Sequence, residues 1–317
     1  MTQFTTTNDL ITDVLFRAFE QTDGSSQYAD AALRYLNRAY RSLWTGGGEF
    51  LPGLPTNWWW MRAQGQILLQ PPYETGTVTL TQGSDVASLS TAPSYSIQGW
   101  HLWIEGGNAV YKITEHAASD VGLVLDTEYV GEDDTAAGFT AAQLDYDLPS
   151  NCLKIIDPMT VHSDPGAEVH EVDMAEMWRQ YPPIMVTSAS TPVLYAPVDE
   201  NTIRFNSYVD VLNRLDYFYL AQPDDLTTDP SSAPLLPLNY RHVLADMACF
   251  FVMTDKEEQR AVGIGAQAKA GIAAMMAENR KRWGDAGSGV TGQIFPRQSR
   301  NTVWMRTATG LRVPWGR

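Results

Sequence analysis

The densest set of side chains able to ligate a metal or move a proton is His162, Asp164, Glu168, His170, Glu171 and Asp173. Imidazole and carboxylate at alternating strand positions would point several ligands to one side, as a hard or borderline divalent cation needs. The competing reading is a polar turn at Asp164-Pro165-Gly166 between two solvated strand ends, which asks for no convergence of distant residues. Gly131-Glu132-Asp133-Asp134 lacks the loop length and closing Glu of a calcium loop and reads as a solvated turn. Gly263-Ile264-Gly265-Ala266-Gln267-Ala268 has the letters of a dinucleotide fingerprint but follows Glu257-Glu258-Gln259-Arg260 and not a strand. Its small residues therefore read as a seat for a closely packed helix. His101, His116 and His242 have no assignable Ser or Cys partner, and Cys249 sits in an apolar helical stripe. The sequence holds no Gly-x-x-x-x-Gly-Lys-[Ser/Thr], no Gly-x-Ser-x-Gly and no His-Glu-x-x-His. No catalytic, cofactor-binding or metal residue is assigned, no cofactor is expected, and the chain is read as a non-enzyme.

Aromatic residues offer another chemistry. The run Trp58-Trp59-Trp60, with Trp100 and Trp103, has the makings of a sugar-stacking face. Strand alternation would instead put Trp58 and Trp60 on one side and Trp59 on the other, so that one side becomes core or subunit interface.

The elements that must position these residues fall into three stretches. Leu10, Ile11, Val14, Leu15, Ala18 and Phe19 recur at helical spacing, with Thr7 or Asn8 as cap. A second helix carries Ala32, Tyr35, Leu36, Ala39, Tyr40 and Leu43, and stops at Gly46-Gly47-Gly48. Between Phe50 and Pro234 the period changes. Short β-rich runs appear at 77–81, 100–104, 110–113, 123–125, 153–156, 202–205 and 215–220. Helix returns after Pro237, with Val243, Leu244, Met247, Ala248 and Phe251 on one stripe. Thr254-Asp255-Lys256-Glu257 reads as a capping box opening a last helix to Trp283, with Ala261, Ile264, Ala268, Ile272, Met275 and Met276 inward. Asp285-Ala286-Gly287-Ser288-Gly289 reads as a flexible joint. The predicted fold is α+β. A helical bundle from both chain ends (1–49 and 235–283) carries a large inserted antiparallel β domain (50–234), and an extended basic arm follows (284–317).

Charge divides the 317 residues further. The whole chain has 22 Lys+Arg against 37 Asp+Glu, net −15. Residues 280–317 hold eight cations and one anion, so they carry +7 and leave −22 on residues 1–279. An acidic body repels phosphate, which excludes a DNA-coating protein while leaving a surface that DNA slides past. The basic arm, in which Arg297, Arg300, Arg306, Arg312 and Arg317 interleave with Trp304 and Trp315, suits an acidic protein partner. No apolar run is long enough to span a membrane. MTQFTTTNDL has neither the basic start nor the apolar stretch of a signal peptide. Two cysteines make no disulfide framework.

Four segments carry a resemblance. They are Ala31-Ala32-Leu33-Arg34-Tyr35-Leu36-Asn37-Arg38-Ala39-Tyr40, Tyr146-Asp147-Leu148-Pro149, Pro192-Val193-Leu194-Tyr195 with Thr202-Ile203-Arg204-Phe205 and Tyr217-Phe218-Tyr219, and Leu236-Pro237-Leu238-Asn239-Tyr240-Arg241-His242-Val243-Leu244. In this order they resemble the head-to-tail adaptor (connector, or head-completion) proteins of tailed bacteriophages. The resemblance implies a virion structural protein at the head–tail interface, made in the host cytoplasm. It implies a ring of about twelve copies that binds the portal, continues the DNA channel and meets a downstream tail or nozzle protein, with tail fibres as further candidates. The implied portal-docking arm comprises Arg297, Arg300, Trp304, Arg306, Arg312, Trp315 and Arg317. The alternative is another tail or baseplate structural protein with a carbohydrate-binding β domain.

Overall fold

The first helix starts where Thr6 accepts from the Asp9 N–H and Asp9 reaches back to the Thr6 N–H, a reciprocal cap one residue before the expected one. The computed structural model describes residues 4–20, 28–48, 50–186, 188–229, 231–283, 304–306 and 312–314. Chain segments Met1–Trp60 and Asp225–Arg317 form one compact unit, and Met61–Asp224 forms a second.

The first unit contains α1 (Thr7–Ala18), α2 (Ala29–Trp44), α4 (Arg241–Asp255) and α5 (Arg260–Trp283); α3 (Met174–Gln180) belongs to the second. Helix α4 is the centre, packed against α1, α2 and α5. That explains why ten of its fifteen residues are buried, while α1 and α2 each bury one stripe. The small residues of α5 let it approach α4. A Cβ on Gly265 would sit 2.7 Å from Phe250 Cδ2, and one on Gly271 would sit 2.6 Å from Val243 Cγ2. Thr254–Glu257 does not cap α5. Lys256 N–H closes α4 on Val252 and Thr254, Glu257 takes a left-handed φ of 58°, and α5 begins at Arg260.

The second unit has two seven-stranded sheets. Sheet I runs in the order β1 (Arg62–Leu69), β14 (Asn213–Ala221), β10 (Cys152–Val161), β11 (Asp164–Glu171), β12 (Leu194–Pro197), β13 (Thr202–Phe205) and β9 (Asp145–Asp147). Sheet II runs β7 (Asp134–Ala137), β2 (Val78–Leu80), β3 (Val86–Leu89), β6 (Gly122–Leu125), β5 (Val110–Glu115), β4 (His101–Ile104) and β8 (Phe139–Ala142). Each sheet closes over its own core. One is built on Ile67, Met159, Val161, Tyr195, Phe205 and Leu215, the other on Val78, Ile97, Leu102, Ile113 and Ala141. All strands of sheet II lie between β1 and β9 in the chain, so this lobe is an insertion within sheet I.

The expected fold class is therefore corrected. The protein is mostly β, with five helices among the described residues, and not a helical bundle bearing one β domain. The β region holds two lobes with separate cores, a helix of its own, and a parallel pair (β11 with β12) among antiparallel ladders. The physical reason is that seven visible apolar runs were too few to count fourteen strands. Strand β1, Arg-Ala-Gln-Gly-Gln-Ile-Leu-Leu, hides behind Gln and Gly; Gly65 is required because a Cβ there would collide with the Tyr217 ring. Strands β15 (Trp304–Arg306) and β16 (Arg312–Pro314) form an antiparallel ladder with Arg306 opposite Arg312.

Candidate interaction surfaces

The six residues of the metal reading are each used locally. The turn between β10 and β11 is His162-Ser163, not Asp164-Pro165-Gly166, because Val161 pairs with Asp164. His162 Nδ1 lies 2.8 Å from Asp216 Oδ2, with Arg214 Nη2 2.6 Å away. His170 faces Asp157 at 3.2 Å and Glu168 at 3.7 Å, and the Glu171 N–H donates to the same Asp157. Asp164 accepts from the Gly166 N–H, and Asp173 caps α3 through the Ala175 N–H. Among the described residues, no group of three or more His, Cys, Asp or Glu is placed to hold a metal. Asp133 and Asp134 likewise accept backbone N–H groups, from Gln82 and Ala136.

Of the tryptophans of the sugar reading, Trp58, Trp60 and Trp100 are buried. Trp58 is fully buried, stacks on Trp60 at 6.3 Å and donates its indole N–H to the Leu43 carbonyl. Trp100 is buried in the core of sheet II. Cys152 and Cys249 are buried free thiols, pushed up by burial to about 11 and about 12, so neither is a nucleophile at neutral pH.

The polar residues of the resembling segments tie backbone together. Asn37 donates to the Leu226 carbonyl at 3.0 Å and accepts from its N–H at 2.7 Å. The Tyr40 hydroxyl accepts from the Leu235 N–H, and Tyr35 donates to Asp255. Arg241 donates to the carbonyls of Phe4, Thr5, Pro234 and Leu236. Such bonds satisfy carbonyls of irregular chain that would otherwise have no partner. These segments fix how the chain returns.

Three charged features stand out. An open hollow of about 480 Å³ on α2 is lined by Arg34, Asn37, Arg38, Arg41, Ser42 and Thr45. Arg41 is held bidentately by Asp225, and Arg38 lies 3.6 Å from Asp255 and over the Phe251 ring. The second feature is buried. Asp145 accepts from Arg204 Nε at 2.6 Å and Nη2 at 3.0 Å, and from Lys112 Nζ at 2.8 Å, beside buried His101. Burial raises the Asp145 pKa, but the bonds from Arg204 and Lys112 outweigh it and hold the carboxyl below the ordinary range. Burial pushes His101 down to about 4, with Arg204 and Lys112 adding to the effect and Asp145 and Asp126 opposing it.

The third feature is the partition of charge. The acidic body is not uniformly acidic: Met61–Asp224 carries six Lys+Arg against 23 Asp+Glu, net −17. The helical unit carries 16 against 14, net +2, and owes its positive sign to the +7 of residues 280–317. Of the arm residues, Arg297, Arg300, Trp315 and Arg317 lie outside the described residues. Trp304 and Arg306 fall on β15 and Arg312 on β16.

Residues 125–292 match the family model of the SU10 adaptor protein, 168 of the 317 positions, and the chain belongs to this family. It is thus a phage structural adaptor of the virion that acts through other head and tail proteins. No curated protein matches the chain. The matched span covers β7–β14, α3, α4 and α5, and so most of sheet I, whereas β2–β5 and nearly all of β6 of sheet II lie before it. No helix among the described residues is long and apolar enough to cross a membrane.

Proposed function

We propose that the protein forms a ring of about twelve copies that joins the portal vertex to the tail and continues the DNA channel. The observation that carries this reading is the charge partition, +7 in residues 280–317 against −17 in Met61–Asp224, in a member of the adaptor family. Acidic channel walls repel the DNA backbone, so the genome passes without being held. Arg297, Arg300, Trp304, Arg306, Arg312, Trp315 and Arg317 form the arm that docks on an acidic portal surface. Ring multiplicity turns modest contacts per copy into avidity. The β unit is left to meet the downstream tail or nozzle protein, or the tail fibres.

Deleting Gly287–Arg317 tests the arm. The expected product is folded and soluble but no longer loads onto DNA-filled heads. Normal loading of the truncated protein would refute the assignment.

A further inference from the structure

The joint between the two sheets is sparingly built. Sheet II leaves sheet I after β1 and rejoins it through Gln143-Leu144, only two residues between β8 and β9. The apolar contact at this place is a small cluster of Ala142, Leu144, Val186 and Tyr208 with Trp103 and Ala189 against it. Trp103 of β4 donates its indole N–H to the Pro183 carbonyl at 2.9 Å. A further link is ionic. Asp145 and Arg204, from β9 and β13, form a pair inside sheet I with side chains 8% and 9% exposed. Lys112 of β5 reaches from sheet II to the second oxygen of that carboxylate. His101 pairs in register with Lys112 and faces the same group.

We propose that Lys112–Asp145 is a clasp that holds the sheet II lobe at one orientation on sheet I, and that opening it lets the lobe pivot about Gln143-Leu144. The groups that face the clasp are Arg204 and Asp145 from sheet I, Asp199 between β12 and β13, and His101, Lys112 and Asp126 from sheet II. The Asp145 carboxylate and Arg204 are buried, while Lys112 is 41% exposed, so an opened clasp leaves the ammonium in water and the carboxylate with Arg204 alone. Acid opens the clasp by two routes of the same sign. Protonated Asp145 no longer holds Lys112, and protonated His101 adds a third positive charge beside Lys112 and Arg204. Asp145 is held below the ordinary carboxylate range and His101 at about 4, so the clasp is closed at neutral pH and is loosened by acid.

The test is a distance distribution between spin labels on Thr81→Cys in sheet II and Ser163→Cys in sheet I, in the full chain. The native thiols are buried and stay unlabelled. A single narrow distribution is expected at pH 7, broadened at least twofold by Lys112→Met, with far-UV circular dichroism unchanged. Lys112→Arg, which keeps the charge and the reach, should restore the narrow distribution. Either of two outcomes overturns the proposal. One is that Lys112→Met leaves the distribution narrow at pH 7. The other is that it melts sheet II, which would make Lys112 a requirement of the fold.

Discussion

The helical unit and the β unit solve the problem of charge in opposite ways. In the helical unit most ions lie along helix surfaces and are partly neutralised by neighbours, as in Arg41 with Asp225, while Arg17 reaches from Asp13 to the buried Asp246. In the β unit a −17 surface surrounds one buried cluster in which a single carboxylate answers two cations. The difference teaches where each unit is vulnerable. Helix packing depends on shape, since ten of the fifteen residues of α4 are enclosed, whereas the joint of the β lobes combines a small apolar cluster and an indole hydrogen bond with one ionised group.

The largest effect should therefore come from the β unit. Arg204→Ala leaves Asp145 buried with Lys112 alone and is expected to cost about 3–5 kcal/mol in chemical denaturation; a loss below 1 kcal/mol would erase the contrast. Next is pH. His101 is buried neutral with its pKa lowered from 6.5 to about 4, so the unfolded chain takes up that proton first. Stability falls as pH drops from 6.5 to 4, by about 3 kcal/mol over that window. His101→Phe should flatten this part of the profile, and an unchanged slope would assign it to other groups.

The helical unit should answer to shape. Gly271→Ala pushes a methyl into Val243 and is expected to cost about 1–3 kcal/mol, read from thermal unfolding. Gly263→Ala, on the same helix but with nothing within 4 Å of its would-be Cβ, should stabilise by about 0.5–1 kcal/mol. Equal effects at both positions would mean that the α4–α5 contact is looser than the packing shows. Asn37→Ala removes both bonds to Leu226 and should cost about 1–3 kcal/mol.

Several features were legible in the sequence for physical reasons. The stripes of α1, α2 and α4 repeat at helical spacing, and the Gly265 segment was recognisable as a packing seat by its lack of a preceding strand. The basic run 280–317 stands out by charge alone, and most of it lies outside the described residues. What was not legible depended on partners far along the chain. Strand β1 reads as polar until Tyr217 is placed over Gly65. The two-lobe division is hidden because β1 and β9, which frame sheet II, are separated by about half of the unit. The Asp145 cluster draws on positions 101, 112, 145 and 204, which no local pattern connects. Conversely, the His162–Asp173 stretch looked chemical because its residue types were dense, yet the side chains of His162, Asp164, Glu168, His170 and Asp173 serve a turn, a cap or a neighbouring ion pair.

The central claim is that the protein is a ring at the head–tail junction. Electron microscopy of intact particles tests it most directly. A ring of about a dozen copies between portal and tail, with residues 284–317 directed at the portal, is the expected result. Particles in which the protein sits elsewhere, or as isolated copies around the tail, would contradict it.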